Sequence, residues 1–337
     1  MNLVVKPTKR CNFNCSFCSS LTRTDEGDEI TTKDIKRFLV RYPETTAIII
    51  NGGDPLMMSP EYFLDLIKYI KDNDLKTTIS LSSNLWAFYK DPDKWLPVFK
   101  HDDILRVSTS FNYGEGRRIT TTRPYTEEIF IKVVNKFKDL VGYMPFFIAI
   151  IDENNEDSVI KTAQLAKSLN TTCRINPVLK SGRQGKPYPV YKMYQFYLKL
   201  IELGLTDVEF NSKQLAEFTN EFTSCPLPYE RACDENIRCL SVGHHYHSCP
   251  AFNDDYEADC GKYDIDFEAE MSGEMFKPLK KSIELMSLKS DCFTCSLFKL
   301  CNNCYKYIKD MKAEGDSYIK HHCLEMKKLQ QKLEKYI

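Results

Sequence analysis

No stretch of the 337-residue chain is long and apolar enough to span a bilayer. The longest apolar runs, such as Phe146–Ile151, fall far short of the roughly 20 residues that a membrane helix requires. The opening residues, MNLVVKPTKRC, lack the basic, apolar and cleavage regions of a secretory signal. An excess of charge is missing too: Lys and Arg number 46 against 47 Asp and Glu, a formal charge of −1. No global basic field exists to gather nucleic acid or an anionic membrane. Internal repeats and low-complexity tracts are absent. With 42% hydrophobic and 28% charged residues, the chain is neither disordered nor fibrous. The expectation is a cytoplasmic protein with no membrane or nucleic-acid partner.

Cysteine, by contrast, is abundant. Fourteen are present: three within residues 11–18, one at Cys173, and ten between Cys225 and Cys323. In a reducing compartment, clustered cysteines bind metal more often than they form disulfides. The layout suggests a metal site near the start and a metal-stapled C-terminal region. We expect two domains, residues 1–215 and 216–337.

Residues 3–200 alternate strand and helix patterns. Strands are predicted from Leu3, Ala47, Thr77, Leu105, Phe146 and Cys173. Ile35, Phe38, Leu39 and Tyr42 share one helical face. Ser59-Pro60 reads as an N-cap followed by Pro at the first helical position. Further helices are predicted over Ile129–Leu140, Val159–Leu169 and Tyr191–Leu203. About six β/α units imply a parallel sheet and fit a partial (β/α)6 TIM-like barrel better than a closed eight-unit one. A doubly wound open sheet has the same periodicity. Beyond residue 220, Pro226 and Pro228 interrupt the chain and periodicity fades, until Ser317–Tyr336 reads again as a helix.

Cys11, Cys15 and Cys18 form a C-x3-C-x2-C run directly after the first predicted strand. Three nearby thiolates can converge on one inorganic centre. A 4Fe–4S cube held by three cysteines leaves one iron without a protein ligand, open to a small molecule. Zinc is the rival, although structural zinc takes four ligands.

The segment Lys9-Arg10-Cys11-Asn12-Phe13-Asn14-Cys15-Ser16-Phe17-Cys18 resembles the signature of the radical S-adenosylmethionine (SAM) enzymes. The resemblance implies that SAM chelates the open iron and that one electron cleaves it to methionine and a 5′-deoxyadenosyl radical. Phe17 would pack near the adenine. Gly52-Gly53-Asp54-Pro55 resembles the family's GGEP motif for the methionine amino group, with Asp in place of the usual Glu. Ser82 and Asn84, Ser108 and Ser110, and Arg183 after Ser181-Gly182 stand where ribose or carboxylate contacts are expected.

The later cysteines resemble the SPASM extension of this family, which holds two auxiliary 4Fe–4S clusters. By that resemblance Cys233, Cys239, Cys249 and Cys304 hold one, and Cys292, Cys295, Cys301 and Cys323 the other. Two spacings depart by one residue: two residues lie between Cys301 and Cys304, and Gly243 stands six positions before Cys249. A pair of zinc ribbons is the alternative. Cys173 reads as a buried small hydrophobe, Cys225 as a candidate hydrogen-atom donor, and Cys260, His244, His245 and His247 stay unassigned.

The resemblance implies three 4Fe–4S clusters, a one-electron reductant such as a flavodoxin or ferredoxin, and peptide modification by crosslinking, epimerisation or oxidation. With ten residues ahead of Cys11, no N-terminal peptide-recognition domain is expected. A dehydrogenase or rearrangement acting on a sugar, cyclitol or other small metabolite is therefore the alternative. A non-catalytic iron–sulfur or zinc protein is the reading from another class.

Overall fold

The computed structural model describes residues 1–19, 29–114, 116–120, 122–217, 236–252, 265–274, 290–301 and 304–336. The first strand, β1 (Asn2–Lys6), is buried along its whole length. It leads through the cysteine loop to helix α1 (Thr32–Arg41) and strand β2 (Ala47–Ile50). Helix α2 (Pro60–Asp72), strand β3 (Thr78–Ser82), helices α3 (Trp86–Lys90) and α4 (Pro92–Phe99), and strand β4 (Leu105–Ser110) follow. A two-stranded hairpin, β5 (Arg118–Ile119) and β6 (Arg123–Pro124), precedes α5 (Glu127–Val141), β7 (Phe147–Ile151), α6 (Glu156–Ser168) and β8 (Cys173–Pro177). Helices α7 (Val190–Glu202) and α8 (Phe210–Glu217) complete the first part, and strands β9 (Ile237–Ser241) and β10 (His245–His247) come later.

All six predicted strands lie side by side and parallel, in the order β1-β2-β3-β4-β7-β8. The registers begin Asn2↔Ala47, Ala47↔Thr78, Ile79↔Leu105 and Phe147↔Cys173. A doubly wound sheet reverses its order partway, whereas this one proceeds in a single direction. The two remaining strands lie beyond β1. Strand β9 pairs parallel to β1, with Val4 opposite Cys239, and β10 returns antiparallel, with His247 opposite Cys239. An unpaired edge on a fully buried strand would strand its backbone donors and acceptors; β9 satisfies them.

The helices cover the sheet with the faces their periodicity predicts. Ile35, Phe38 and Leu39 of α1 are buried, as are Phe63, Leu66, Ile67 and Ile70 of α2 and Phe130, Val133, Val134 and Phe137 of α5. Ser59 is the N-cap of α2 and Pro60 its first residue, although the serine side chain makes no capping bond. Thr126 caps α5, accepting from Ile129 N, and Gly142 ends that helix at φ 100°. Later segments are tied back by buried charge. Arg238 Nε donates to both Glu270 oxygens at 2.9 and 3.1 Å, and Tyr42, which caps the C-terminus of α1, donates to the same carboxylate. Lys306 pairs with Asp310 at 2.5 Å and donates to Lys180 O at 2.8 Å. Among the described residues, no helix is long and apolar enough to cross a membrane.

Candidate active site

The parallel strands end at one rim, where the cysteine loop is gripped by three other loops. From β2, Gly53 N donates to Thr8 O at 3.0 Å and Asp54 N to Arg10 O at 2.8 Å. A Cβ on Gly53 would stand 2.2 Å from Arg10 O, so only glycine permits this approach. After β4, Ser16 N donates to Gly116 O at 2.8 Å and Asn14 N to Arg118 O at 2.9 Å. After β8, Arg183 N donates to Cys18 O at 3.0 Å and Arg183 Nη1 to Cys15 O at 2.8 Å. Gly182 sits there at φ +57°, and its Cβ would fall 2.0 Å from Ser19 O and 2.6 Å from Cys18 O.

This grip holds Cys11, Cys15 and Cys18 half-exposed on one loop. Burial first, then the charge of Asp54 and of the other two thiols, pushes the Cys11 thiol well above its ordinary value. Each thiol thus lies within electrostatic reach of Cys11. Phe13 N donates to Cys11 Sγ at 3.3 Å, a contact that favours a thiolate.

Asp54 is a bracket inside this arrangement. Its carboxylate is fully buried and accepts from Leu56 N at 2.9 Å, Ser83 Oγ at 2.8 Å and Asn84 N at 2.9 Å. Burial raises its pKa, and those three donors oppose the rise. By fixing Asn84, it aims that side chain at the cysteine loop: Asn84 Nδ2 donates to Asn12 Oδ1 at 2.6 Å and lies 3.9 Å from Cys11 Sγ. Ser82 and Ser108 bond to each other at 2.8 Å. Ser110 Oγ accepts from Arg117 Nη1 at 2.7 Å.

Arg117 is the residue that sequence reasoning missed. It is 6% exposed, lies 5.3 Å from the centroid of Phe17, and also donates to Asn112 Oδ1 at 3.2 Å. Its Nε has no hydrogen-bond partner among the described residues. Among the described residues, Asn14 Oδ1, Asn51 Oδ1, Thr109 Oγ1 and Tyr125 OH are likewise buried with no hydrogen-bond partner. Buried polar atoms ordinarily find partners, and a ligand bound at this rim could supply those that these atoms lack. The only sequence cue was an Arg directly after a glycine in the loop after β4.

The later cysteines fall in two places. Burial, together with the nearby thiols of Cys295, Cys323 and Cys292, pushes Cys301 far up; these are the residues expected to share the second auxiliary cluster. Cys239 is buried in β9, Cys249 packs with Phe252, and Cys304 is the N-cap of the helix Tyr305–Ala313. Lys306 of that helix sits 6.0 Å from the Phe252 ring, linking the last two. Cys225, Cys233 and Cys260 lie outside the described residues. Cys173 is fully buried. His245 stacks on His247 at 6.5 Å, and His244 Nε2 lies 3.5 Å from Asp34 Oδ2. Among the described residues, no three His, Cys, Asp or Glu side chains gather at the spacing of a single metal ion. A cube spreads its thiolates over separate irons, so that spacing bears only on a mononuclear site.

Residues 5–166 match the family model described as the Radical SAM superfamily. The chain carries a radical SAM domain. The pyruvate formate-lyase-activating enzyme of Clostridium pasteurianum is 18% identical over 212 residues, covering 60% of this chain and 82% of that protein. Among solved structures, anSMEcpe with bound AdoMet superposes with a TM-score of 0.71 at 14% identity, covering 98% of this chain and 96% of that one. Streptococcus suis SuiB bound to its precursor peptide SuiA gives 0.63 at 18% identity, over 94% of this chain and 75% of that one. The fold is therefore the partial barrel of these radical SAM structures. The radical SAM family binds SAM and a 4Fe–4S cluster, and the three gripped thiols with unspent polar atoms beside them fit that pair.

Proposed function

We propose that this chain is a radical SAM enzyme that reductively cleaves SAM and abstracts hydrogen from a peptide substrate. The observation that carries the reading is the three-sided grip on Cys11, Cys15 and Cys18. It gathers three cysteines at the mouth of the parallel strands; as thiolates they would hold three corners of a cube and leave the fourth to a ligand. Bound there, SAM and the cluster would supply a 5′-deoxyadenosyl radical after one-electron reduction.

The protein's own work is positioning and charge. Cys11, Cys15 and Cys18 would hold the cluster, with Asn84 donating toward Cys11. Gly52 and Gly53 let the loop after β2 seat against the cysteine loop, where it would face the methionine end, while Asp54 orders Ser83 and Asn84 behind it. The buried guanidinium of Arg117, already bonded to Ser110, suits the ligand's carboxylate, since a charge-assisted pair is stronger in a water-poor site. Phe17 would flank the adenine. Cys239, Cys249 and Cys304 with Cys233, and Cys292, Cys295, Cys301 and Cys323, are the proposed ligands of two auxiliary clusters in a C-terminal SPASM-type domain of residues 216–337. Cys225 is the proposed hydrogen donor.

A peptide substrate is favoured because SuiB is solved with the precursor peptide SuiA, and anSMEcpe with AdoMet and the Cp18Cys peptide. A small metabolite is the second reading. Anaerobic reconstitution with iron and sulfide, followed by dithionite and SAM, tests the proposal. Methionine and 5′-deoxyadenosine should form, and Cys15→Ala should abolish both while the auxiliary clusters remain. Cleavage by Cys15→Ala, or none by the parent chain, would refute it.

A further inference from the structure

The reaction proposed above needs one electron from outside the chain, and one surface patch combines half-exposed aromatic rings with cations. On α3 the rings of Trp86 and Tyr89, both half-exposed, stack at 5.3 Å and 20°. Lys90 Nζ lies 5.0 Å and the Arg123 guanidinium 5.8 Å from the Trp86 ring, and Lys136 Nζ lies 5.1 Å from the Tyr89 ring. Nearby cations are neutralised: Arg106 faces Asp102 at 3.9 Å, and Lys132 meets Glu128 at 2.6 Å. Lys90, Arg123 and Lys136 have no such carboxylate partner among the described residues. Three unneutralised cations on one aromatic pair stand out on a chain of net charge −1.

The patch leads inward by two short routes. Trp86 packs against Phe13 at 6.5 Å between ring centroids, and Phe13 N donates to Cys11 Sγ at 3.3 Å. Trp86 N donates to Asn84 Oδ1 at 2.8 Å, and Asn84 Nδ2 lies 3.9 Å from the same sulfur. We propose that Trp86, Tyr89, Lys90, Arg123 and Lys136 form the docking surface for an acidic one-electron carrier protein that reduces the cluster held by Cys11, Cys15 and Cys18. This rests on the cluster assignment above. One electron leaves the carrier and enters the cluster; no bond forms or breaks. An aromatic centre rimmed by cations matches an acidic partner, and redox encounters make do with small interfaces.

The test uses the reconstituted holoenzyme and reduced flavodoxin, an acidic flavoprotein, under anaerobic conditions. Freeze-quench spectroscopy follows growth of the SAM-sensitive paramagnetic signal, and binding of oxidised flavodoxin is measured separately. The double variant Lys90→Glu/Arg123→Glu should bind flavodoxin at least tenfold more weakly and accept its electron at least tenfold more slowly at low salt. Reduction by dithionite should be unchanged. Parent rates should fall with salt, since the screening length is about 10 Å at 0.1 M, and the variant should lose that dependence. Wild-type binding and rate in the variant, or a parent rate indifferent to salt, would overturn the surface. Were dithionite to raise no signal in either protein, the cluster assignment would fall, while the binding measurement would still decide the surface.

Discussion

Replacing Gly182 by alanine strikes the grip on the cysteine loop at its tightest point. The new methyl group would lie 2.0 Å from Ser19 O and 2.6 Å from Cys18 O, both backbone atoms with no rotamer to escape into. A side chain at φ +57° costs about 1–2 kcal/mol. Relieving the overlap costs about 1–3 kcal/mol more. Loss of the 3.0 Å bond from Arg183 N to Cys18 O adds about 0.5–1.5 kcal/mol. Together these come to about 2.5–6.5 kcal/mol, a large share of the roughly 5–15 kcal/mol that stabilises a whole fold. The cheaper response is for the loop carrying Cys18 to move. Gly185→Ala is the matched control, since nothing lies within 4 Å of its Cβ. We expect Gly182→Ala to lose about four of the twelve iron atoms expected from three cubes. Its metal-free form should alkylate faster at Cys18, and Gly185→Ala should behave as the parent. Full iron with unchanged alkylation in Gly182→Ala would refute the reasoning.

Glu270→Gln removes the charge paired with Arg238 in a site where the two side chains are 2% and 0% exposed; denaturant titration should show a loss of about 3–5 kcal/mol. Arg117→Met should leave the stability of the metal-free chain within about 1 kcal/mol of the parent yet weaken SAM binding about 10- to 100-fold by calorimetry, the worth of a hydrogen bond to a charged group. Burial, then the bond to Glu270, pushes the Tyr42 phenol up to about 12. An acid raised in the folded state favours its neutral form there, so its contribution is intact below pH 10 and lost as pH climbs toward 12. Melting curves of Tyr42→Phe should therefore fall less steeply than those of the parent across that window.

The six parallel strands were legible because runs such as Ala47–Ile50 are continuous and β-branched, which is how a strand buried on both faces reads. Helices α3 and α4 were not, because they are short and Pro97 lies within α4. Strand β9 was hidden by Arg238, a charge that reads as surface until Glu270 is brought against it. In the site, the cysteines and the glycine motif announced themselves by spacing. The role of Asp54 did not: its partners Ser83 and Asn84 come from another strand end, and only the β2–β3 pairing makes them neighbours. Arg117 belongs to a loop without periodicity, so nothing in its spacing connected it to Phe17.

The most direct measurement is the paramagnetic spectrum of the reduced N-terminal cluster before and after SAM is added, recorded in a chain whose auxiliary cysteines Cys292 and Cys239 are replaced by alanine. If one iron is open to a ligand, the signal should shift on adding SAM and return when it is removed. A spectrum indifferent to SAM, with the iron already carrying a fourth side chain, would contradict the account.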